Sequence, residues 1–182
     1  MDRFRVYPQW RLDIVASGQV YPSDAAIMRR AIELTLAALQ RGQGGSFGAI
    51  IATDQGEIVA VAHNEVQQGL DVTAHAEIVV IRRATQALKR LALDAAHGAH
   101  LRLFATCEPC AMCVGAIFWA RLPTVIAATR KEDAQSAGMR QEFALPTAAF
   151  FAQEQMTYRP DFLRQEAVEI FRVLSRLREA GA

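Results

Sequence analysis

Cysteine is scarce in this chain, three in 182 residues, too few to staple a fold of this size with disulfides. Two of them, Cys110 and Cys113, stand three apart, which in a reducing compartment points to metal or redox chemistry. An excess of one charge is lacking too. Lys and Arg number 20 against 19 Asp and Glu, a formal +1, so neither a strongly basic surface nor an acidic tail is indicated. Long apolar runs are missing as well. Asp2, Arg3 and Arg5 fall where a signal peptide needs an apolar stretch, and later runs are broken by Asp, Arg, Gly or Pro. A soluble, cytoplasmic protein with no membrane partner is the expectation. Neither an internal repeat nor a low-complexity linker divides the chain, and its 52% hydrophobic content is ample for one packed domain.

Residues 1–22 have no clean period and contain Pro8 and Pro22, so they read as an arm lying on the body or on a partner subunit. Ser23 is placed to cap a helix, with Asp24 in its positive first turn. Ile27, Ala31, Leu34 and Ala38 then keep the helical period until Gly42. Residues 47–53 and 58–63 read as strands joined by a tight turn at Asp54-Gln55-Gly56, hence an antiparallel hairpin. A loop from 64 to 73 leads into a helix over about 74–91. Residues 101–106 form a strand, 110–120 a helix and 125–129 a strand. Beyond Lys131 the pattern weakens. Residues 132–137 suit a helical turn, and 143–151 a strand or a loop. Pro160-Asp161 opens a last helix with Leu163, Ala167, Ile170, Leu174 and Leu177 on one stripe. The domain then spans 23–158, with the helix of 159–182 packed on it or across a dimer. A hairpin followed by helix-strand-helix-strand predicts an α/β fold, a mixed sheet with helices on both faces.

Two short motifs carry chemistry. One is His75-Ala76-Glu77; the other is Pro109-Cys110-Ala111-Met112-Cys113. Cysteines at i and i+3 in the first turn of a helix project to one side. Pro109 suits the entry to that helix, and the helix's positive end favours thiolates. His75 adds a neutral ligand from the start of another helix. Two thiolates and one imidazole cancel the charge of a Zn²⁺ ion, and three protein ligands leave one tetrahedral position open, the mark of a catalytic site. Water there is acidified from a pKa of ~16 to ~7. Glu77, two positions from His75, need not bind the metal. It is placed to take a proton from that water, pass it to a ring nitrogen and protonate departing ammonia. A structural zinc site or a chance Cys-x-x-Cys is the blander alternative, and neither needs Glu77.

Together these motifs are the zinc deaminase signature. The chain resembles the cytidine deaminase-like superfamily and, within it, the bacterial guanine deaminases. The likeness runs over residues 23–143, through Gly44-Gly45-Ser46-Phe47-Gly48-Ala49, Asn64, Thr73-Ala74-His75-Ala76-Glu77 and the run from Cys107 to Arg121. It implies a three-layer α/β/α fold with a mixed five-stranded sheet, one zinc ion per chain and a homodimer. It also implies a free heterocyclic base as substrate, guanine first, or a related aminopurine, pterin or triazine. Asn64 would then hydrogen-bond the ring, the Ala76 N–H would hold its carbonyl, and Phe47 and Trp119 would touch its face or edge. The chain departs from the family in two places. Where guanine deaminases carry an acidic Gly-Phe-Asp-Asp stretch, this chain reads Gly138-Met139-Arg140-Gln141-Glu142-Phe143. Either Glu142 replaces the acid, shifted by a position, or Arg140 selects a more anionic ring. The family also closes its pocket with an aromatic residue near the C-terminus, whereas here the chain ends Arg178-Glu179-Ala180-Gly181-Ala182.

Other residues receive plainer roles. Cys107 reads as a buried free cysteine, Glu108 as a backbone anchor, and His63, His97 and His100 as surface or loop histidines. Asp133 reads as capping or solvating a turn. Arg164, Arg172, Arg176 and Arg178 alternate with Glu166, Glu169 and Glu179, as on a solvated helix face. Two competing functions remain. A tRNA adenosine deaminase shares the same motifs but calls for a basic groove, which the charge balance speaks against. A non-catalytic protein stabilised by zinc has no use for Glu77.

Overall fold

Apolar strands rich in Ile, Val and Ala need cover on both faces, and the elements between them supply it. The computed structural model describes residues 17–94, 100–139 and 145–181. In chain order the elements are α1 (Asp24–Gln40), β1 (Gly48–Thr53), β2 (Ile58–His63), α2 (Val66–Gly69), α3 (Ala76–Leu88), β3 (Leu101–Cys107) and α4 (Ala111–Trp119). There follow β4 (Thr124–Thr129), α5 (Lys131–Ser136), α6 (Thr147–Gln153), β5 (Thr157–Arg159), α7 (Arg164–Ala167) and α8 (Glu169–Gly181). The sheet is five-stranded, in the order β2-β1-β3-β4-β5. β1 runs antiparallel to β2 and β3, while β3, β4 and β5 are parallel. This is the mixed sheet in an α/β/α sandwich that the sequence led us to expect.

Side-chain alternation sorts the core into two layers. Ile50, Phe104 and Ile126 pack with Ile27, Ala31 and Leu34 of α1 and with Ile170 and Phe171 of α8. Their neighbours Ile51, Leu103 and Val125 pack the other way, against Val80 and Ala84 of α3, Ile117 of α4 and Phe151 of α6. Ser23 caps α1 as expected, its Oγ accepting from the Ala26 N–H at 3.2 Å.

Four boundaries differ from expectation. α3 begins after His75, its N-cap, and stops where Lys89 turns left-handed at φ 52°. Residues 147–153 form a helix where a strand or a loop was expected over 143–151, and the fifth strand is the three-residue β5. The last helix does not start at Pro160, because Asp161 and Leu163 take φ 60° and 57°, which no helix continues through. It instead resumes as α7 and α8, and α8 packs on α1 of its own chain. The described end of the N-terminal arm lies on the body, where Gly18 donates to the Ile58 carbonyl and Ile58 to that of Gln19. No helix among the described residues is long and apolar enough to cross a membrane.

Candidate active site

One edge of the sheet gathers the start of β1 and the ends of β2, β3 and β4, since Gly48 pairs with His63, Ala49 with Ala105 and Cys107 with Thr129. Loops leaving the carboxyl ends of parallel strands are where open α/β sheets hold their ligands. His75 and Cys110 are the N-caps of α3 and α4, both with extended backbone, and so sit at two positive helix ends. Pro109 therefore precedes the cap rather than opening the first turn.

The three donor atoms form a near-equilateral triangle. The Sγ atoms of Cys110 and Cys113 are 3.5 Å apart, and each lies 3.6 Å from Nδ1 of His75. Zinc bonds of about 2.3 Å to sulfur and 2.0–2.1 Å to nitrogen, set tetrahedrally, require donors about 3.5–3.8 Å apart. The triangle fits that ion, and both cysteines are free thiols. Among the described residues it is the one His/Cys/Asp/Glu group close enough to hold a metal. The Cys113 thiol hydrogen-bonds Cys110 and, with His75, holds the Cys110 thiol down to about 4. Cys113 itself is pushed up by sharing its proton with Cys110 and by burial. Without a cation the pair keeps one proton; with one, both become thiolates.

Glu77 lies in the first turn of α3, 7% exposed. Burial pushes its carboxyl up to about 7, the negative Cys110 adds to the rise, and its own backbone N–H and His75 oppose it. It lines a cavity of about 700 Å³ together with His75 and Cys110. A carboxyl titrating near neutrality beside a metal triangle can take and return protons.

Phe47 and Asn64 line the same cavity. Phe47 is braced from behind by Phe171, edge to face with centroids 6.0 Å apart. Asn64 donates its backbone N–H to the Phe47 carbonyl at 2.9 Å, and its Oδ1 accepts from the Val66 N–H at 3.3 Å, which leaves the side-chain NH₂ and one oxygen lone pair for a ligand. Two glycines make this possible. A Cβ on Gly45 would meet the Asn64 side chain at 3.0 Å, and one on Gly44 the His63 ring at 2.4 Å. Ala76 is fully buried and contributes a first-turn N–H of α3.

Several residues sit elsewhere than expected. Trp119 does not line the cavity. It ends α4, nine residues or about 13 Å along from Cys110 at 1.5 Å per residue, and is 81% exposed against Phe118. Glu142 lies outside the described residues. His63 is fully buried, its Nδ1 2.9 Å from the Asn64 carbonyl, because it ends a strand under the Gly44 turn. Glu108 pairs through its side chain with Lys131 at 3.6 Å, and both line the cavity. Cys107 lines it as well, buried, its thiol on the Arg130 carbonyl at 3.5 Å. Asp133 does cap a turn, accepting from the Arg130 N–H, and is gripped by both arms of Arg164. Sequence reasoning missed Lys131, Gln135 and Met139 in the wall, although 131, 134 and 135 share one face of α5 by their spacing.

Residues 22–129 match the family model of the cytidine and deoxycytidylate deaminase zinc-binding region. The chain belongs to this deaminase family. It is a hydrolase of carbon–nitrogen bonds. A guanine deaminase of Bacillus subtilis is 41% identical over 116 residues, covering 64% of this chain and 70% of the relative. A tRNA-specific adenosine deaminase of Agrobacterium fabrum is 36% identical over 131 residues, 69% of this chain and 76% of the relative. Among solved structures, a guanine deaminase from Nitrosomonas europaea superposes with a TM-score of 0.86 at 25% identity, over 94% of both chains.

Proposed function

We propose that this deaminase is zinc-dependent and acts on a free aminated heterocycle, guanine first, converting guanine and water to xanthine and ammonia; a related aminopurine, pterin or triazine is the next choice. The observation that carries this is Glu77 beside a zinc-sized triangle of His75, Cys110 and Cys113, inside a cavity of about 700 Å³. A cavity of that volume admits a flat base with room to spare, and its few polar groups would fix the ring's orientation. Zinc, when bound there, supplies a Lewis acid with one open position, which makes water nucleophilic at neutral pH. The Glu77 carboxylate takes the proton of the attacking water, hands it to the ring nitrogen next to the attacked carbon, and then protonates the leaving amine. Phe47 holds the ring's face, Asn64 donates to its edge and the Ala76 N–H donates to its carbonyl. In a reducing cytoplasm the two thiols stay available to the metal.

The same reading includes a homodimer. α4 is apolar on all sides, and Trp119, Phe118 and Met112 are 81%, 38% and 37% exposed. A helix of that kind is covered in the working protein, and a second copy is the partner we assign.

Ammonia release over guanine, adenine, cytosine, cytidine, guanosine, pterin and ammeline tests the substrate. Turnover of guanine well above the nucleosides supports the reading, and turnover confined to a tRNA anticodon stem overturns it. The tRNA alternative has the Agrobacterium relative in its favour. Against it stand the +1 formal charge and a cavity whose cation among the described residues, Lys131, is paired with Glu108.

A further inference from the structure

The scheme above leaves two charged groups of the cavity, Lys131 and Glu108, without a task. Lys131 is the first residue of α5, directly after β4, and its side chain is 14% exposed in the wall of the substrate cavity. An ammonium has three donors and no acceptor, and one shielded from most of the solvent needs partners. Lys131 has two among the described residues, Glu108 Oε1 at 3.6 Å and Thr147 Oγ1 at 3.3 Å. Both are long beside the about 2.7–2.9 Å of a charge-assisted hydrogen bond. Thr147 is itself buried and spends its hydroxyl proton on the Leu145 carbonyl, so toward Lys131 it can only accept. Among the described residues the ammonium is thus held at the wall by two weak acceptors, one fewer than its three donors. A part-exposed ion pair this loose does little for stability, whereas a fixed donor facing a ligand cavity is prepared for an acceptor that arrives with the ligand.

We propose that Lys131 is a specificity-determining residue. Its ammonium donates to the second lone pair of the ring oxo group that also accepts from the Ala76 N–H, or to an anionic nitrogen of the bound ring. The site therefore favours oxo-bearing rings over rings that lack this acceptor, with Glu108 as the counter-ion that moderates the preference. The proposal rests on the free-base reading above.

The test uses the zinc-loaded full chain as wild type, Lys131→Met, Lys131→Arg and Glu108→Gln. Two quantities are read: kcat/KM for guanine, and Ki of 2-aminopurine, which carries the same amine but lacks the oxo group. Lys131→Met is expected to lower kcat/KM for guanine about ten- to hundredfold, the worth of a charged hydrogen bond, while Ki of 2-aminopurine moves less than about threefold. Lys131→Arg should keep most of the preference, and Glu108→Gln, which frees the ammonium, should sharpen it. If Lys131→Met does not fold, the latter two variants decide. A parallel loss for both ligands, or no change in their ratio in any variant, overturns the proposal. A wild type that releases ammonia from no free base sinks the free-base reading with it, whereas an active wild type with an unmoved ratio sinks only the role of Lys131.

Discussion

At the scale of single residues, chemistry and stability oppose each other at Glu77. Burial raises this carboxyl to about 7 because the folded protein resists its charge there. A protonated Glu77 cannot accept another proton, so kcat/KM of the zinc-loaded enzyme should fall on acidification, with a midpoint that the bound dication sets below the about 7 of the metal-free fold; a rate with no acid limb above about pH 4 would contradict the assignment. Stability takes the opposite sign. A carboxyl whose pKa is raised on folding favours the folded state at low pH, and that advantage disappears as pH climbs from about 4.5 to 7. In chelator-treated protein Glu77→Gln should flatten this decline and, at pH 8, unfold at higher urea than wild type. With zinc bound, the same variant should lose about 10²–10⁴ in kcat while metal analysis finds the ion still present. Removing Cys113 should instead release the metal. These residues were legible because the chemistry is local in sequence: three positions separate the cysteines, and two separate His75 from Glu77. Lys131 and Glu108 meet only once β3 and β4 pair, and no spacing along the chain announces that contact.

At the scale of elements, the hairpin and the central strands could be read because each is built on an uninterrupted apolar run, from Leu103-Phe104-Ala105 in β3 to the five residues 58–62 in β2, bounded by turn chemistry. β5 could not. Three residues, Thr157-Tyr158-Arg159, are too few to show a period, and it is pairing with β4 that makes them a strand. The Gly44-Gly45 turn before β1 shows how a loop sets a site. Gly45→Ala forces the Asn64 side chain to give way at 3.0 Å, so KM should rise while the unfolding midpoint changes little. Gly44→Ala meets the buried His63 ring at 2.4 Å from a backbone at φ 150°, and should cost about 2–4 kcal/mol in urea unfolding. Equal effects of the two on stability would refute this division of labour.

At the scale of the whole molecule, the last helix ties the C-terminal segment to the cavity wall. The apolar stripe that suggested α8 from sequence left open whether it covers its own chain or a partner, since amphipathicity does not name what is covered. In the fold it turns back on its own domain. Phe171 backs Phe47, and Arg178 donates to the Ala137 carbonyl at 2.5 Å while its other nitrogen lies 3.4 Å from the Met139 sulfur. Both Phe47 and Met139 line the cavity, so one helix supports two of its walls from outside. Arg178 touches neither the metal triangle nor Glu77, and its removal should leave the chemical step alone. Arg178→Ala is therefore expected to raise KM about three- to tenfold, the worth of one such hydrogen bond, with kcat nearly unchanged. Added guanidinium should bring KM back toward wild type, because the carbonyl and thioether it would bridge are still in place. Should kcat and KM fall together, or guanidinium do nothing, the helix contributes fold stability alone and the wall stands without it.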